Sequence, residues 1–155
     1  MSVFSHIVCC INLSENPDDV AQYVNDITRQ NDADLVLIHV AADSDAILRR
    51  MGNKALVEEL IADARRQNEA AFEEYVAAHF AGLKVRTVLA EGKVEDEVLK
   101  VIDDICADLV IIGSMSTKGF FGSLFNKPSE NIIGKTRVPV LVVPNDLSLE
   151  CTPNF

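Results

Sequence analysis

No apolar run in this 155-residue chain approaches the ~20 residues that a membrane span requires, and its first residues lack the apolar core of a signal peptide. A cytoplasmic location without a membrane partner is expected. Low-complexity tracts are absent, and hydrophobic residues make up 48%, which excludes a disordered chain. Positive charge is scarce: 14 Lys and Arg stand against 24 Asp and Glu, a formal net charge of -10. Nucleic acids and membrane surfaces are anionic and would be repelled, so neither is expected as a partner. The cysteines Cys9, Cys10, Cys106 and Cys151 show no CxxC or zinc-type spacing. Cys9 and Cys10 lie inside an apolar segment, where a free thiol behaves as a small hydrophobe, and Cys151 in the polar tail is expected to be the exposed one. Catalytic patterns are missing too. The chain has no GxxxxGK[ST] loop, no HxGH pair, no SGGxDS loop and no Ser/His/Asp or metal-ligating set, so no catalytic or metal residue is assigned.

What is present reads as one α/β domain over residues 1–146 with a polar tail over 147–155. Four largely apolar segments, Ile7–Ile11, Ala33–Val40, Leu109–Ile112 and Val138–Val143, predict strands buried on both faces. Lys84–Leu89 alternates apolar and polar residues and predicts a strand near the sheet edge. Helical spacing predicts a helix over 17–31 with Val20, Val24 and Ile27 inward, and one over 55–78 marked by Leu56, Leu60, Ala64, Ala71, Tyr75 and Ala78 and ended by Gly82. Further helices are predicted over 94–105 and 129–134, with 41–53 as a polar connector. The carboxylates Glu95, Asp96 and Glu97 suit a helix N-terminus, where the dipole favours negative charge. His39 lies near a strand end, where a lone histidine is more often packed than catalytic. Strands alternating with helices give a single doubly wound, five-stranded, mostly parallel sheet with helices on both faces. A small polar loop at the carboxyl end of such a strand, here after Gly113, is where open α/β sheets take ligands.

Several of these segments resemble the universal stress protein family across nearly the whole chain. Ile7–Glu15 (IVCCINLSE) is similar to its opening strand, Leu37–Val40 to its second, and Glu91–Gly92 with Val94–Ile105 to the segment before its fourth. Ala107–Gly113 (ADLVIIG) and Val138–Pro144 (VPVLVVP) are the most specific matches. The resemblance implies a Rossmann-like fold of the adenine nucleotide alpha hydrolase-like kind. Its nucleotide-binding members carry G-x-x-G-x9-G-[ST] after the fourth strand, because small residues let backbone N–H groups approach phosphates. Here those positions are Gly113, Ser116, Asn126 and Lys127, so one glycine of three survives. The aspartate expected after the first strand is replaced by Asn12, and the following glycine by Leu13. The resemblance places contacts to ATP or another adenine nucleotide, with Mg²⁺, at Asn12, Leu13, Val40, Gly113, Ser116, Gly119, Asn126, Lys127, Pro128 and Ser129.

Three functions fit these residues. The first is a homodimeric stress-response regulator that binds an adenine nucleotide, with the dimer formed through 138–143. The second is a slow ATPase in which Ser116, Lys127 and Ser129 position phosphates. The third is an interaction module that offers Phe120, Phe121, Leu124 and Phe125 to a protein partner; in their other role these residues cover the sheet end.

Overall fold

The structure is a computed structural model that describes residues 2–13, 18–113, 128–143 and 152–154. The central apolar segments become parallel strands because each is sheathed on both sides, while the two edge strands are only partly covered. They are β1 (His6–Cys10), β2 (Asp34–Ala41), β3 (Val85–Glu91), β4 (Leu109–Gly113) and β5 (Val140–Val143). They form one five-stranded sheet in the order β3-β2-β1-β4-β5. Every pairing is parallel, as the helical crossovers dictate.

Alternation along the strands sorts their side chains into two cores. Ile7, Cys9, Leu35, Leu37 and Ile111 point to one face, where α1 (Asp18–Asn31) and α3 (Lys54–His79) cover them with Val20, Val24, Phe72 and Tyr75. Val8, Cys10, Ile38, Val110 and Ile112 point to the other, beneath Val94, Val98 and Ile102 of α4 (Val94–Asp104) and Ile132 of α5 (Pro128–Lys135). The doubly wound, parallel architecture expected from the sequence is therefore the one observed. Both vicinal thiols are buried, on opposite faces. Burial, reinforced by the neighbouring Cys10, holds the Cys9 thiol well above its ordinary range, and burial pushes Cys10 up to about 12. Neither supplies a thiolate at neutral pH.

Four local expectations change. Residues 41–53 are not a plain connector: α2 (Ser44–Arg50) forms there, capped by the Asp43 carboxylate, which accepts hydrogen bonds from the N–H groups of Asp45 (3.0 Å) and Ala46 (3.2 Å). In α3 the buried residues are Val57, Phe72 and Tyr75, while Leu56 and Leu60 are exposed. A helix of 26 residues runs roughly 39 Å, whereas the seven-residue β3 spans roughly 23 Å, so α3 outreaches the strand it precedes. It ends at His79, three residues before Gly82, which sits in the following turn at φ +80°. The fifth strand begins at Val140 rather than Val138, since Pro139 has no N–H to donate; its carbonyl instead accepts from Val110 N–H at 2.9 Å. Cys106 is exposed, in the tight turn after α4 at φ 52°, and Cys151 lies outside the described residues. Among the described residues no helix is long and apolar enough to cross a membrane.

Candidate functional site

In this strand order the chain winds outward from β1 through β2 to β3, then returns to the other side of β1 for β4 and β5. Open α/β sheets have their ligand crevice at such a reversal, here between the carboxyl ends of β1 and β4. Register fixes what lines it. Cys10 stands opposite Ile38 on one side and Ile112 on the other. Ile11 continues the ladder by donating to the Ile38 carbonyl at 2.9 Å. Asn12 and Leu13, the β2 end at His39 and Val40, and Gly113 are thereby brought to one level of the sheet.

Asn12 and Val40 are both nearly inaccessible, at 4% and 3% exposure. Leu13, which stands in place of the glycine, packs its side chain against the core beneath α1 and α3. There it lines a small cavity of about 280 Å³ with Ala71, Tyr75 and His79. Gly113 has a packing reason of its own. A Cβ built on it would meet Cγ2 of Val20 at 2.8 Å, so the close approach of α1 to β4 requires glycine at this point.

His39 was expected to be packed or exposed, in either case without chemistry. It is buried, and its Nδ1 lies 3.3 Å from the Leu13 nitrogen and 3.3 Å from the Ile11 carbonyl oxygen. Burial lowers its pKa, with the nearby Ile11 carbonyl opposing the shift, which favours the neutral ring. Only its level in the sheet, at the end of an apolar strand, could have drawn attention to it.

Glu91 was missed. It ends β3 and binds two elements distant in sequence: Oε1 accepts from Arg65 Nε of α3 at 2.6 Å, and Oε2 accepts from Ser44 N–H of α2 at 3.3 Å. The Arg65 hydrogen bond, helped by Ser44, holds its carboxyl at about 2. Next to it, Gly92 (φ +129°) donates to the Ala41 carbonyl at 3.0 Å, which ties the exits of β2 and β3 together. No spacing rule links residues 44, 65 and 91; only the fold does.

Of the other predicted contact residues, Pro128 and Ser129 open α5. This helix runs from the carboxyl end of the sheet down towards the start of β5, so its positive end lies on the crevice side. Ser116, Gly119, Asn126 and Lys127 lie outside the described residues, as do Phe120, Phe121, Leu124 and Phe125. Among the described residues no group of three or more His, Cys, Asp or Glu could hold a metal ion. A groove of about 480 Å³ at His6, Asp34, Lys84 and Arg86 sits at the amino ends of the strands, opposite the crevice. Lys84 and Arg86 are exposed, and it is the wrong end of the sheet for ligands of this fold class.

Comparison with known proteins gives a consistent picture. A family model described as the universal stress protein family matches residues 4–144. Universal stress protein MJ0531 of Methanocaldococcus jannaschii is 26% identical over 143 residues, covering 92% of this chain and 83% of that protein. The solved structure of hypothetical protein MJ0577 superposes with a TM-score of 0.71 at 21% identity, covering 93% of this chain and 98% of that one. A universal stress protein solved in complex with cAMP gives a TM-score of 0.60 at 18% identity, covering 94% and 100%. One from Archaeoglobus fulgidus solved in complex with dAMP gives 0.59 at 17%, covering 91% and 98%.

Proposed function

The chain belongs to the universal stress protein family, and we propose that it is a stress-response regulator holding an adenine nucleotide in the crevice between β1 and β4. One observation carries this reading: Asn12, Leu13, Val40 and Gly113, scattered over a hundred positions of sequence, are level with one another at the sheet's point of reversal. That two structural neighbours were solved with cAMP and dAMP supports it. On this reading Asn12, which both donates and accepts, replaces an aspartate as the polar contact to the nucleoside, and Val40 offers an apolar wall. The start of α5 at Pro128 and Ser129 gives its positive end to the phosphate, and Lys118 and Lys127 add charge in place of lost glycines. The protein acts in the cytoplasm as a homodimer joined through β5, and no residue is assigned a catalytic role.

The test begins with protein purified without added ligand, followed by mass spectrometry of the small molecules released on denaturation. Titration calorimetry with AMP, cAMP, and ATP with and without Mg²⁺ completes it. A co-purified adenine nucleotide, or saturable heat with any of these, is the expected result. A second reading, an interaction module that keeps the fold without a nucleotide, is favoured by Gly113, whose glycine the contact with Val20 explains without a phosphate. An empty protein that gives no heat with any of the nucleotides would establish it over the first.

A further inference from the structure

At the crevice a single ring nitrogen faces two backbone partners. His39 Nδ1 stands 3.3 Å from Leu13 N–H and 3.3 Å from the Ile11 carbonyl oxygen. A neutral imidazole has either a proton or a lone pair at Nδ1, so it serves one of these at a time. The two alternatives are unequal. An N–H left without an acceptor is a rarer defect in folded proteins than a carbonyl left without a donor. That favours the tautomer with its lone pair at Nδ1 and its proton at Nε2, in which Leu13 N–H donates to it. Leu13 is then held twice, by this hydrogen bond and by its side chain against the core beneath α1 and α3.

We propose that His39 is a positioning residue of the crevice: through the Leu13 N–H it fixes the exit of β1 and so sets Asn12, the next residue back, toward the nucleotide. This rests on the nucleotide reading above for its consequence, but not for the hydrogen bond itself. It also gives a role to leucine at a position where the family's binders use glycine. The turn is anchored rather than free, and the nucleotide meets a preorganised edge.

Three substitutions separate this from simple core packing. His39→Asn places an amide oxygen near the position of Nδ1; His39→Gln carries its amide out toward Nε2; His39→Leu fills the space with no acceptor. Thermal melts establish that each variant is folded. Wild type and His39→Asn should bind AMP alike, with His39→Gln and His39→Leu about fivefold weaker, the size of one lost hydrogen bond of about 1 kcal/mol. Hydrogen exchange at the Leu13 amide should quicken in the same two variants only. Imidazole ¹⁵N shifts of the wild type, which need no variant, should show the proton on Nε2. A proton on Nδ1, or equal affinity and equal Leu13 exchange in all four proteins, would overturn the proposal. A wild type that binds no nucleotide would overturn the nucleotide reading alone, because the ¹⁵N and exchange measurements decide the Leu13 contact without ligand.

Discussion

Single positions in this chain have physical reasons that their motif context hides. Gly113 is the one surviving glycine of a phosphate-binding pattern, yet the contact at 2.8 Å that its Cβ would make with Val20 Cγ2 demands glycine whatever the crevice holds. Val20 is buried and β-branched, so it cannot swing aside. Gly113→Ala should therefore destabilise the fold by about 1–3 kcal/mol in denaturant melts, the usual range for overpacking. Pairing it with Val20→Ala should recover part of that loss, because the two positions share one volume. A Gly113→Ala variant as stable as wild type would remove the packing explanation and leave ligand approach as the reason for the glycine.

Between elements, the ties that hold the strand ends are polar and bridge long stretches of sequence. At the amino end of the sheet, the Asp108 carboxylate accepts from the N–H groups of Ser5 (2.7 Å) and His6 (3.0 Å), and Asn31 Oδ1 accepts from that of Val3 (3.0 Å). At the crevice end, Glu91 joins β3 to α2 and α3. Its carboxyl, held at about 2 by Arg65 and Ser44, lies below its ordinary value of 4.5. A group depressed in the folded state contributes stability that is complete above its unfolded pKa and is lost as pH falls through the folded value. Wild type should melt higher than Glu91→Gln above about pH 4.5, and the gap should close as pH falls toward 2. The Arg65 partner is solvent-exposed, so the gap at neutral pH is modest and shrinks with salt. Parallel acid melts of the two proteins measure it; a gap that is constant from pH 6 to pH 2 would mean that Glu91 acts by packing alone.

Across the whole molecule, the sheet has two edges of different character. β3 is largely polar or half-exposed along its length, whereas β5 is entirely apolar, with Val142 38% exposed. An apolar edge strand left open is an invitation to pairing, so β5 is the edge expected to meet a second copy. Light scattering at micromolar concentration should give twice the chain mass for wild type and the single mass for Val142→Glu, with the monomeric variant still folded by circular dichroism. A wild-type monomer under those conditions would remove β5 as an interface.

Hydropathy alone determined that Ile7–Ile11, Leu35–Ile38 and Leu109–Ile112 are central strands, because a segment apolar at every position can only be satisfied by cover on both faces. Alternation with helices then determined a parallel, doubly wound sheet and the end at which its crevice lies. Tertiary structure decided the rest. The inward phase of α3 depends on where a helix longer than its sheet happens to lie, whereas α2 starts on a local cap, Asp43, that the sequence already carried. The role of His39 depends on two backbone groups that the β1–β2 register brings to one nitrogen, and Glu91 on three residues that meet only when α2, α3 and β3 are in place. Periodicity records which side of an element is apolar; distances between residues far apart in sequence exist only once the chain has folded.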